Sequence, residues 1–174
     1  LTSLDVTNNT ALTRLYCQVN QLTSLNLSQN TVLSTLICFE NYQLTSLDIS
    51  NSLLLDTLWI ASCPVGSLDL SQHSSLVCLM ANQTSLTSLD IRNGNNTNFT
   101  LFGASLNPNL NCISVDDASW ATANWTDIDS HTSFSNDCNA VPKTYVPDDN
   151  FEAYLETHDA FGNVVSVGDA NSMG

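Results

Sequence analysis

Positive charge is nearly missing from this chain: three Lys and Arg stand against 17 Asp and Glu in 174 residues, a formal charge of −14. Nucleic acid and anionic membrane surfaces are excluded as partners, because binding to either needs clustered cations. Charge of either sign is scarce at 11%, while 43% of residues are hydrophobic, so solubility rests on neutral Asn, Ser and Thr. No apolar run approaches the ~20 residues that cross a bilayer, which excludes direct membrane insertion. Absent too are the CxxC and HExxH spacings of zinc sites, the GxSxG elbow of a serine hydrolase and a full EF-hand loop. His73, His131 and His158 lie in unrelated contexts. The expectation is therefore no catalytic residue, no metal site and no cofactor, in a protein that is not an enzyme. The chain opens mid-pattern, without Met or signal peptide, which points to a fragment of a longer protein.

What the chain does have is a repeat, and a fixed period sets the architecture. LTSLDV at Leu1 returns as LTSLNL at Leu22, LTSLDI at Leu44, VGSLDL at Val65, LTSLDI at Leu86 and faintly LNCISV at Leu110, steps of 21, 22, 21, 21 and 24 residues. Two columns stay apolar throughout: Leu4, Leu25, Leu47, Leu68, Leu89, Ile113, and, two residues on, Val6, Leu27, Ile49, Leu70, Ile91, Val115. The second half of each unit repeats the grammar, as in Leu12 to Leu22, which reads LxxLxLxxNxL.

That is the leucine-rich-repeat pattern, in which LxL alternates like a strand and Asn satisfies backbone groups where the chain turns. The nested unit predicts a mainly β solenoid with short 21–22 residue coils, strands on two faces, little helix and a small capped C-terminal end. Each coil offers apolar side chains worth roughly 1.5–3 kcal/mol apiece, but only when a neighbouring coil covers them. Asn20 and Asn41 are followed in their column by Cys63, Thr84 and Asn107, and Asn9 and Asn30 by Ser52, His73 and Gly94. These departures predict looser turns in the third and fourth repeats.

The boundaries expected are a solenoid over 1–115, a C-terminal cap over 116–138, and a linker with the start of a further segment over 139–174. Asp116 to Trp125 reads as a short helix with acids at its start, placing Trp120 over the open end of the last coil. Phe151, Tyr154 and Leu155 share one face of a second short helix. Cys17 and Cys38 fall in an inward column and read as small core residues. Any pairing of Cys63 with Cys78 stays open. Cys112 and Cys138 bracket the cap, and a disulfide between them would add about 3–4 kcal/mol in the chain-entropy model and require an oxidising compartment.

The stretch NPNLNCISVDDASWATANWTDIDSHTSFSNDC, Asn107 to Cys138, resembles the C-terminal cap of secreted leucine-rich-repeat proteins of Bacteroidetes and flavobacteria. TYVPDDNFEAYLE, Thr144 to Glu156, resembles the N-terminal cap that opens another repeat block there. The resemblance implies a secreted or outer-surface protein, often multidomain, exported by the type IX system.

Outward positions carry the functional reading. On the LxLxxN strands Tyr16, Ile37, Trp59 and Met80 stack into a continuous apolar stripe with Phe39 beside it, since stacked strands lie roughly 4.8 Å apart. Exposed apolar patches mark contact surfaces, so these five are the candidate partner-binding residues. The partner expected is a protein or polysaccharide at the cell surface, with packing into a larger surface protein or filament, hence self-assembly, as the alternative. The opposite strands show Ser3, Ser24, Ser46, Ser67 and Ser88 beside Asp5, Asn26, Asp48, Asp69 and Asp90, read as a solvated face or, as a further alternative, an ice- or polysaccharide-binding one.

Overall fold

The computed structural model describes residues 1–139, a compact unit. The segment expected after Asn139, with its Phe151–Tyr154–Leu155 helix, lies outside the described residues. Within the unit the chain winds through three-residue strands: β1 (Arg14–Tyr16), β2 (Thr35–Ile37), β3 (Thr57–Trp59), β4 (Ser67–Asp69), β5 (Cys78–Met80), β6 (Ser88–Asp90), β7 (Leu101–Gly103), β8 (Cys112–Ser114) and β9 (Ser133–Ser135). The only α-helix among the described residues, α1 (Ala118–Asn124), lies between β8 and β9. Two parallel sheets result, β1-β2-β3-β5-β7 and β4-β6-β8-β9. Pairing is in register, so Leu15, Leu36, Leu58, Leu79 and Phe102 stack between the two faces as one buried ladder.

The architecture is the expected two-faced, mainly β solenoid, with one difference. On the second face strands begin only at β4, and the earlier copies of LTSL are joined by a single bridge, Asn26 to Asp48. Rungs of three residues are at the margin of a hydrogen-bonded ladder, and small departures reduce them to a bridge.

Turns are held by side chains buried inside the stack. Asn41 donates to the Cys17 and Cys38 carbonyls at 3.1 and 2.7 Å and accepts from the Leu22 amide at 3.0 Å. The substitutes expected to loosen this column remain fully buried and bonded: Cys63 Sγ donates to the Cys38 carbonyl at 3.1 Å and Thr84 Oγ1 to that of Ala81 at 2.8 Å. A small donor keeps the contact that matters most, the bond to a carbonyl inside the stack. The residue just before each rung of this column, Val19, Glu40, Ser62, Gln83 and Leu106, has φ between 56 and 61°. Left-handed backbone costs energy at non-Gly residues, yet the first four still pass their N–H to the next coil.

The second turn column runs through Asn30, Ser52, His73 and Asn93, all buried. Asn93, not the expected Gly94, takes the fourth place, donating to the His73 carbonyl at 3.0 Å. His73 Nε2 lies 3.3 Å from the Ile49 carbonyl, so that nitrogen carries the proton, while Nδ1 is buried without a partner. Burial holds the imidazole pKa below its usual value. An unfolded chain therefore takes up a proton below about pH 6.5 that the folded chain refuses, and stability falls as pH drops through that window. His73→Asn keeps a donor for the Ile49 carbonyl and is expected to flatten the profile. The check is the urea midpoint at pH 7 and pH 5, which should fall in the parent and hold in the variant.

The cap is built as one more coil. Asp117 Oδ1 accepts from the Ser119 and Trp120 amides and starts α1. Asp129 then takes the place of a following turn, accepting from the Leu106 and Asn107 amides at 3.0 and 2.7 Å. Strand β9 completes the second sheet, and Cys112 and Cys138 are joined by a disulfide with a sequence separation of 26. The residue that closes the core differs from the one expected. Trp120 is only half-buried, whereas Trp125 is buried and stacks on Phe102 with ring centroids 4.1 Å apart. Trp125 is the C-cap of α1 with extended backbone (φ −106°, ψ 112°), so it leaves the helical path and its ring packs on the last coil.

Candidate recognition face

The first sheet places the five sequence-selected residues together. Register pairs Tyr16 with Ile37, Ile37 with Trp59, Trp59 with Met80 and Met80 with Gly103, so four outward side chains form one row across the strands. Each sits outward because its strand neighbour, Leu15, Leu36, Leu58 or Leu79, points into the core, and side chains alternate along a strand. Tyr16 is 56% exposed, and Ile37, Trp59, Met80 and Phe39 are half-buried against one another. Phe39 lies beside the row, its ring 5.1 Å from that of Trp59. Aromatic contact at this distance stiffens the centre of the face before any partner arrives.

The row has a defined end that sequence reasoning missed. Gly103 takes the fifth position, and a Cβ there would lie 2.5 Å from Asp127 Oδ2, 2.8 Å from Asn82 Oδ1 and 3.1 Å from Met80 Cε. The missing side chain lets the cap cross the sheet, and the Asp127 carboxylate fills the space. Asn82 Nδ2 holds Oδ2 at 2.8 Å, while the Asp127 carbonyl accepts from the Ala104 amide at 2.8 Å. The one sequence signal was the glycine itself, where an outward apolar column stops.

Among the described residues the ion pairs are those of Arg92, with Asp90 at 2.6 Å and Asp137 at 3.7 Å. Neither touches the first sheet. Glu40 and Asp56 are chain neighbours of Phe39 and Thr57, and Arg14 stands at the opposite end of the sheet from Asp127.

The second face is exposed, and its acids are engaged locally. Asp5, Asn26, Asp48, Asp69 and Asp90 each accept, through Oδ1, the amide two residues on, at 2.9 to 3.1 Å. These are Asx turns that close the chain after each second-face rung. Hydrogen bonds from Thr7 and Ser50 hold the Asp5 and Asp48 carboxyls below the usual range, and the Arg92 side chain does so for Asp90. A groove of about 490 Å³ lies along this face, lined by Asp69, Asp90, Thr87, Ser88 and the disulfide. Acids of the cap are engaged likewise: Asp116 with the Gly94 amide, Asp117 with the first turn of α1, Asp127 with Asn82 Nδ2, and Asp129 with the Leu106 and Asn107 amides. Asp148 and Asp149 lie outside the described residues.

Cysteines sort by depth. Cys17, Cys38 and Cys63 are buried and free, and Cys78, on an outward strand position, is free as well. Cys38 lies within hydrogen-bonding reach of both Cys17 and Cys63, and these contacts with burial push its thiol far above the ordinary range, so it stays protonated. Cys17 and Cys38 share one inward column, and Cys63 stands in the Asn column of the next coil with its Sγ 3.1 Å from the Cys38 carbonyl. The fold is a leucine-rich-repeat solenoid. A solved chain described as the functional domain of InlJ from Listeria monocytogenes, which includes a cysteine ladder, superposes with a TM-score of 0.61 at 28% identity. The match covers 74% of this chain and 28% of that one, so this chain spans just over a quarter of its length. Its cysteine ladder is paralleled here by two rungs, Cys17 and Cys38. No family model matches the chain, and no curated protein matches it.

Proposed function

We propose that this solenoid is an extracellular recognition module that binds a protein partner through the first sheet, and that it is not an enzyme. The observation that carries the reading is the row Tyr16–Ile37–Trp59–Met80 with Phe39, adjoining apolar side chains on the outer side of a sheet whose inner side is the buried ladder Leu15–Leu36–Leu58–Leu79. Aromatic and Met side chains are enriched where proteins meet, and apolar patches of this kind mark contact surfaces. The Cys112–Cys138 disulfide supports a secreted or outer-surface location, because such bonds persist in oxidising compartments. The resemblance of the cap to secreted Bacteroidetes proteins, with export by the type IX route, belongs to the same reading.

Trp59→Ser tests it. Trp59 sits at the centre of the row, and truncating a central aromatic costs about 2 kcal/mol or more of binding, some thirtyfold in affinity. Partner capture should fall by that factor while the melting temperature changes little, because the side chain is outside the core. If the variant instead dissolves an assembly of the parent seen in sedimentation, the face serves packing between copies. If it does nothing in either assay, the face is not the site.

A further inference from the structure

Resting on that reading, we infer that the partner presents an extended peptide segment whose apolar side chains lie along Ile37, Trp59 and Met80 and whose Lys or Arg reaches Asp127. The shape of the row comes first. Four rungs spaced by ~4.8 Å give a strip ~14 Å long, and it is narrow, with Phe39 beside its middle and Leu101 beside its cap end. An extended chain covers that length with about four residues at ~3.3 Å each, whereas a broad protein surface would leave much of its contact area unmatched.

The cap end fixes the chemistry. The Asp127 carboxylate stands where the fifth side chain of the row would be, next to the Met80 methyl, and is exposed. It accepts one hydrogen bond, from Asn82, and pairs with no cation among the described residues. A carboxylate has about four acceptor sites, so capacity for a guanidinium or ammonium remains. Glu40 and Asp56 add negative charge beside the middle of the sheet, and the balancing Arg14 is at the far end. With 17 acids against three cations in the chain, an anionic segment is repelled from the cap end and a cationic one is drawn to it.

A displayed library of random decapeptides panned on the immobilised full chain tests the inference. Enriched peptides should combine apolar residues with Lys or Arg, and a synthetic copy of the leading one should bind Trp59→Ser at least tenfold more weakly. Replacing its basic residue by Gln should cost about fivefold on the parent protein, the upper end for an exposed ion pair, and nothing further on Asp127→Asn. The peptide substitution is read on the parent chain and so does not depend on how the variant folds. Enriched peptides that need Trp59 but lack a basic residue, or that bind equally after Lys→Gln, overturn the inference and leave the recognition face standing. A library that yields no Trp59-dependent peptide overturns this inference, and loss of partner capture in Trp59→Ser then decides the face separately.

Discussion

Asn107→Ala should lower the unfolding free energy by about 3–5 kcal/mol, among the largest losses a single substitution gives. The side-chain amide of Asn107 is fully buried and links two successive coils. Its Nδ2 donates to the Ala81 and Ala104 carbonyls, both at 2.9 Å, and its Oδ1 accepts from the Thr84 and Leu86 amides at 3.0 and 2.9 Å. Alanine leaves the Ala104 carbonyl and the Thr84 and Leu86 amides dry and unpaired, while the Ala81 carbonyl keeps only Thr84 Oγ1, and each unpaired group costs about 1–3 kcal/mol before relaxation. The neighbouring rung cannot compensate, since Thr84 itself leans on Asn107 Oδ1 at 3.1 Å. Asn20 is the control. It belongs to the same column, but is only part-buried: its Nδ2 bonds carbonyls of its own coil, Cys17 and Gln18, and its Oδ1 accepts only from the exposed N-terminal amine of Leu1. Asn20→Ala should cost no more than about 1 kcal/mol. Urea titration followed by circular dichroism measures both, and equal losses would show that the column acts through local turn propensity and not through its links between coils.

The contrast explains what the sequence displayed and what it hid. In a parallel, in-register stack every column of the structure is a column of the alignment, so the leucine ladders, the Asn column and the outward row were all readable from period alone. The Asx turns left only a partial trace, as Asp5-x-Thr7, Asp48-x-Ser50 and Asp69-x-Ser71 recur with the repeat. Periodicity showed the carboxylates as a like-charged column without showing that each is occupied by the amide two residues on. Contacts that break the period were hidden. Asp127 reaches the row only because Gly103 opens a gap, and Asp129 imitates a turn from a segment with no repeat grammar. The candidate site was thus legible along its length and illegible at its end, where Asp127 enters from the cap.

Trp125→Ala puts the same dependence to a harsher test. Phe102 is the last rung of the ladder that begins at Leu15, and Trp125 lies on it at 4.1 Å with the rings nearly parallel, 13° apart. Phe99 at 5.2 Å, Trp120 at 5.6 Å and Phe134 at 5.7 Å complete the cluster around that indole. Truncating a buried aromatic of this size costs about 3–5 kcal/mol through lost burial and the cavity left behind. Trp120, half-buried and edge-on, is the comparison; Trp120→Ala should cost clearly less. The disulfide keeps Cys138 tied to Cys112 in either variant, so the cap stays attached but no longer packs. In a linear stack, damage at a terminal coil spreads inward one neighbour at a time. Amides that bridge the last coils, such as Ala81 to the Gly103 carbonyl and Ala104 to that of Asp127, should therefore lose hydrogen-exchange protection first, ahead of Cys38 and Ile60. Uniform loss of protection along the whole solenoid would mean that the coils unfold as one unit and the cap is not a separate lock. A graded loss would also release Asp127 from the end of the apolar row, so the substitution that exposes the core should weaken binding of a basic peptide without touching any residue of the row itself.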